Sequence, residues 1–276
     1  MSLSTHYNDA IDAFEAIELP AAPGSQEQLT AALLRRRSVL PSRRAVLFPQ
    51  AQSDSFVPED LASWFTARGF HFYVADLRPA EFRHVAAGPG HRASSHRASA
   101  RRGSTRRAGM HRGGWHQSSK DLQASFAGLD AASSYLREAD GIDSLIVSGH
   151  GAGASTAALW CDARRDRKPA EALILTDPDF GRGGGRPLNI PCPVLIVSGT
   201  GEDEDPAAQE RRMQAVPVFG LGAHVTFLRL AGAPDGLDAA PAGPSAAHDA
   251  SRRLFFDEMG RWLGAYMYGQ VRDQLL

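Results

Sequence analysis

The chain is poor in cysteine and has no long apolar run. Of its 276 residues two are cysteine, Cys161 and Cys192. They stand far apart, each beside apolar sequence, which excludes a disulfide framework and reads as two small buried hydrophobes. No apolar stretch approaches the roughly 20 residues that a bilayer-spanning helix needs. The opening "MSLSTHYNDAIDAFEAIELP" is acidic and amphipathic, unlike a basic-then-apolar leader. A cytoplasmic protein with no membrane span is expected. The hydrophobic fraction of 43% suffices for one large core at this length, so a single α/β domain over residues 1-276 is expected.

Excess charge of one sign is also missing from the whole, at a net −1, but not from every part. From Phe82 to Gln117 the chain carries Arg83, Arg92, Arg97, Arg101, Arg102, Arg106, Arg107 and Arg112 without one Asp or Glu. Residues 86-119 have almost no large apolar side chains and read as a basic, low-complexity surface insertion. Clustered arginine suits contact with nucleic acid or acidic lipid headgroups. A solvated insertion is the plainer reading, because aromatics are not interleaved and no binding fold is recognisable. A shifted reading frame in a GC-rich gene is the third. His84, His91, His96, His111 and His116 have irregular spacing and no Cys or acid beside them, so no metal site is expected. The run "GRGGGRP" at Gly181 lacks the G-K-[S/T] ending of a phosphate loop, and no cofactor is expected.

What is present is an alternation of strand and helix. "RAVLFPQA" and "FHFYVADLR" read as buried strands, and "VPEDLASWFTARGF" between them as a helix with acids in its first turn and Gly69 just past its end. The pattern recurs in the helix "SKDLQASFAGLDAASSYLREAD", the strand "DSLIVSG", the helix "ASTAALWCDARRD", and the strands "EALILTD", "PCPVLIVSGT" and "HVTFLRLAG". A closing amphipathic helix, "SRRLFFDEMGRWLGAYMYGQV", ends the series. Continuous apolar strands separated by helices indicate an α/β fold with a mostly parallel sheet covered on both faces. "DAFEAIELP" and "QLTAALLRRRSVL" are candidates for antiparallel edge strands.

The stretch "LIVSGHGAGASTAALW" runs from an apolar strand through glycines into a small-residue helix. Gly149, His150, Gly151, Ala152 and Gly153 reproduce the spacing of a nucleophile elbow, G-x-S-x-G, whose tight turn tolerates only small neighbours. Here the chain resembles the α/β-hydrolase superfamily, in particular its lysophospholipase, monoacylglycerol-lipase and serine-aminopeptidase-like branch. The resemblance runs from about Arg44 to Tyr266, through "DLASWFTARGFHFYVADLR", the elbow region, "LGAHVTFLRLAGAPDG" and "FFDEMGRWLGAY". It implies an α/β-hydrolase fold and a serine nucleophile at Gly151, a residue that has no side chain to attack a carbonyl. It also implies an oxyanion-loop His-Gly pair where Pro49 and Gln50 stand, an acid near Asp203 among Glu202, Asp203 and Asp205, and a histidine where Asp235 stands. His248, in a His-Asp pair ahead of the final helix, is a candidate for that histidine displaced by an insertion.

Changes at nucleophile, oxyanion loop and histidine together imply a non-catalytic relative, a pseudoenzyme that keeps a pocket for a small acyl or ester-like ligand. Two alternatives stand beside it. One is an active ester hydrolase or lyase with relocated residues: Ser148 or Ser155 as the nucleophile, His150 as a general base towards water, or Asp203 with His248 as a surviving dyad. Ser148 is expected in the strand and Ser155 a turn into the helix, off the apex, and His150 packed and hydrogen-bonded beneath the turn. The other alternative is an interaction protein that uses the basic loop.

Overall fold

The structure is a computed structural model that describes residues 14–20, 29–50, 58–77, 119–178, 180, 188–200, 224–231 and 246–268. Eight strands form one sheet in the order β1-β2-β4-β3-β5-β6-β7-β8. They are β1 (Glu15–Pro20), β2 (Leu29–Arg36), β3 (Arg44–Gln50), β4 (His71–Asp76), β5 (Ser144–His150), β6 (Ala172–Thr176), β7 (Val194–Thr200) and β8 (Val225–Ala231). β1 pairs antiparallel with β2, and β2 antiparallel with β4; every later pairing is parallel. The mixed edge and parallel centre agree with the sequence pattern. All of β4 and β6 is buried, as unbroken apolar runs in a two-sided sheet require.

Four helices cover the sheet among the described residues: α1 (Glu59–Thr66), α2 (Ser119–Glu138), α3 (Gly151–Ala163) and α4 (Ala246–Leu263). On one face Phe126, Leu129 and Leu136 of α2 and Ala157 and Trp160 of α3 pack on Leu47, Tyr73, Leu145 and Leu173. On the other, Phe65 of α1 and Phe255 and Met259 of α4 pack on Val46, Phe72, Ile146 and Ile174. The alternation of neighbours along each strand follows the two-residue period of side-chain direction. α3 is fastened to α2 through Asp130, which accepts from Trp160 Nε1 at 2.9 Å and from Arg164 Nη2 at 2.7 Å. The final helix starts earlier than its sequence pattern suggested, at Ala246, because Ala246 and Ala247 are strong helix formers and Asp249 suits the positive N-terminal end.

Both cysteines are free and buried in the same cluster. Burial pushes the Cys192 thiol up to about 12 and the Cys161 thiol well above its ordinary value, with Cys192 and Asp162 adding to the latter.

The edge hairpin is tied to the core by charge. Arg35 of β2 donates to both oxygens of Asp140, at 2.8 and 2.7 Å, and to Glu15 of β1 at 2.6 Å. The Tyr73 hydroxyl donates to Asp140 Oδ2 at 2.6 Å. Burial pushes the Asp140 carboxyl up, but the hydrogen bonds from Tyr73 and Arg35 and the charges of Arg35 and Arg37 outweigh it and hold the group below its usual value. Removing one carboxylate of a buried pair leaves Arg35 with Glu15 alone, so Asp140→Asn is expected to cost about 2 kcal/mol, less than a fully stranded charge, at neutral pH in urea unfolding. A carboxyl depressed in the folded state stabilises above its unfolded pKa of about 3.9 and loses that contribution as pH falls through the folded value. The gap between wild type and variant should therefore narrow below about pH 4.

Candidate functional site

Strand β5 delivers the chain to the turn at the carboxyl edge of the sheet. His150 ends the strand in an extended conformation, φ −122° and ψ 145°, and Gly151 begins α3 at φ +50°. That left-handed backbone is the region L side chains rarely adopt. The two flanking glycines have opposite surroundings. A Cβ on Gly149 would lie 2.7 Å from the Ala154 nitrogen, 2.8 Å from its Cα and 2.9 Å from the Gly153 carbonyl carbon. The first turn of α3 lies directly on the strand, and only glycine fits between them. A Cβ on Gly151 would meet nothing within 4 Å. The turn thus holds an apex position that points into open space but carries no side chain. Ala152 and Gly153 complete the tight start of the helix, and both are buried.

Pro49 and Gln50 end β3 at the same edge. The β3–β5 ladder stops at Leu47↔Val147, so Pro49 falls where the two strands have parted, while it still pairs with Ala75 of β4. A proline is tolerated there because no β5 ladder bond is asked of its nitrogen. Gln50 is fully buried and Asp76, its partner on β4, is 4% exposed. His150 is half-buried, with Nδ1 away from solvent, and pairs with the buried Thr176. By strand alternation Asp76, Gln50, His150 and Thr176 share the face covered by α1 and α4. They form a polar row along the carboxyl edge. Asp177 follows on β6 at φ 45°; its N–H donates to Val197 O at 2.8 Å, and its Oδ1 accepts from the Gly199 N–H at 3.0 Å.

Asp76 and Asp177 were not singled out by the sequence reading. A signal was present: the apolar runs "VLFPQ", "FYVAD", "LIVSGH" and "LILTD" each end on a polar residue at the carboxyl end of a core strand.

Ser148 lies inside β5 and Ser155 inside α3, each 1% exposed, and the Ser155 hydroxyl reaches the Gly151 carbonyl oxygen at 3.3 Å. Neither occupies the apex. His248 lies in the first turn of α4 and not ahead of the helix, since the alanines before it are already helical. Asp203, Asp235, Glu202, Asp205, the histidines weighed as metal ligands and the arginines from Arg83 to Arg112 lie outside the described residues. Among the described residues no group of three or more His, Cys, Asp or Glu is placed to hold a metal ion, and no helix is long and apolar enough to cross a membrane.

Solved structures of the same architecture exist. A hyperthermophilic esterase from the archaeon Pyrobaculum calidifontis superposes with a TM-score of 0.57 at 13% identity, covering 93% of this chain and 90% of its own. The fold is that of the α/β hydrolases. A dienelactone hydrolase from Anabaena variabilis (TM-score 0.53, 14% identity, 92% and 99% covered) has it as well. So does EstE1, a thermophilic carboxylesterase cloned from a metagenomic library (0.52, 14%, 91% and 91%). No family model and no curated protein matches the sequence. Identity this low speaks for the path of the α/β-hydrolase chain and leaves its chemistry to the residues in place.

The two glycines should respond differently to the same methyl group. Gly149→Ala drives a carbon into backbone and is expected to cost about 3 kcal/mol. Gly151→Ala meets only the left-handed backbone penalty, about 1–2 kcal/mol. Thermal unfolding of the two variants beside wild type ranks them.

Proposed function

We propose that this α/β-hydrolase-fold protein performs no serine-hydrolase turnover and binds a small acyl or ester-like ligand in the crevice at the carboxyl ends of its parallel strands. The observation that carries the reading is Gly151: an elbow apex in left-handed geometry, open to space, with no atom able to form an acyl-enzyme. Removal of a triad nucleophile can leave a residual rate from the oxyanion hole, but Pro49 at that loop has no amide hydrogen to donate. Open α/β sheets leave a crevice at the strand ends, and the row of Asp76, Gln50, His150 and Thr176 ends on the same edge as the turn. The ligand class is drawn from the resemblance of the sequence to the lysophospholipase and monoacylglycerol-lipase branch. The names of the similar folds, esterase and dienelactone hydrolase, point the same way.

Purified wild type is expected to hydrolyse p-nitrophenyl butyrate no faster than buffer and to take no fluorophosphonate label. Labelling of the wild type would mean that another serine does the work and would end the proposal. A stable ester such as monobutyrin should raise the unfolding temperature in a dose-dependent way. Gly151→Asn tolerates the left-handed backbone and fills the apex, and it should abolish that rise while leaving the ligand-free transition close to wild type.

A further inference from the structure

At the opposite, amino-terminal edge of the sheet the chain builds a second surface that the elbow does not use. β2 and β3 are consecutive in sequence, but β4 lies between them, so the loop Arg37 to Arg43 must pass over the start of β4. His71, the first residue of β4, braces it from beneath. Its Nδ1 accepts from the Ser38 N–H at 3.1 Å, which leaves Nε2–H to donate to the Ser42 carbonyl at 3.0 Å. The Ser38 hydroxyl donates to Thr66 O at 3.2 Å and accepts from the Leu40 N–H at 3.1 Å. Between these fixed ends Val39 is 87% and Leu40 58% exposed, and Pro41 follows. They are consecutive, and they are the two most exposed of the large apolar side chains that are exposed among the described residues. Four hydrogen bonds fix the backbone on both sides of the exposed pair.

Arginines surround the tip. Arg37 is 56% and Arg43 71% exposed, with Asp140 and Asp143 as their carboxylate contacts, and Asp140 is already shared with Arg35. Arg36 donates to the Ser63 hydroxyl at 3.0 Å. Arg68 stacks on Trp64, its guanidinium carbon 3.9 Å from the ring centre, and Arg44 stacks on Phe70 at 4.6 Å. We infer that the Arg37–Arg43 loop is a docking tip for an anionic lipid bilayer, with Val39 and Leu40 entering the boundary beneath the headgroups and Arg36, Arg37, Arg43, Arg44 and Arg68 lying against the charged surface. Apolar side chains ringed by cations match a surface whose charge lies above hydrocarbon. Nucleic acid would place phosphate against the apolar pair and is disfavoured for that reason.

The test uses the full-length protein and vesicles of phosphatidylcholine with or without phosphatidylglycerol. Sedimentation with the phosphatidylglycerol vesicles is expected, weakening as salt is added, with little binding to phosphatidylcholine alone. The double variants Val39→Ser/Leu40→Ser and Arg37→Gln/Arg43→Gln should each bind at least about fivefold more weakly. Leu40→Cys offers a second readout. The native cysteines are buried, so an environment-sensitive fluorophore attaches at position 40, and its emission should shift to the blue on the anionic vesicles. Three outcomes would overturn the inference: wild type that stays in the supernatant, a tip variant that binds as well as wild type and so assigns the contact to the arginine-rich segment after Phe82, or a fluorophore that reports no shift.

Discussion

At Gly149 there is no room for a carbon atom, and the rest of the site depends on that constraint. The first turn of α3 approaches β5 so closely that a methyl group would overlap the Ala154 backbone. Two residues on, Gly151 begins the helix in left-handed geometry, with open space where its side chain would be. The turn meets this steric demand at Gly149, while the position at its apex, Gly151, faces open space and carries no side chain.

Much of the architecture was readable because it rests on short-range pattern. The apolar runs from Arg44, His71, Ser144, Ala172, Val194 and Val225 are strands within a residue or two of where their composition places them. The antiparallel edge pair lies within the two N-terminal stretches that the sequence offered for it. The tight strand-to-helix turn at 149–153 was legible for a stronger reason, since small residues at fixed spacing record a steric demand directly. Contacts between distant segments left no such record. Arg35 meets Asp140 across 105 positions and Trp160 meets Asp130 across 30, and neither aspartate differs in sequence from an ordinary surface carboxylate. The polar strand ends at Gln50, Asp76 and Asp177 were hidden by a different cause. A single polar residue closing an apolar run looks like a turn signal until the register aligns several of them on one edge.

The two edges of the sheet are chemically unlike. The carboxyl edge gathers uncharged or acidic groups, most of them buried and bonded into the protein. The amino edge gathers arginines that stack on rings or reach the carboxylates of Asp140 and Asp143. A sheet whose strands run mostly in one direction separates its connections into two sets, so residues far apart in sequence share an edge and its chemistry.

The position of β4 also bears on how the chain assembles. The β1–β2 hairpin is local and can close on itself, and β3 and β5 have their own parallel contacts. Hairpin and parallel sheet share no ladder except through β4, which pairs with β2 on one side and β3 on the other. β4 is therefore the strand through which the hairpin joins the parallel sheet, and a lesion there leaves two exposed edges where a lesion at either end leaves one.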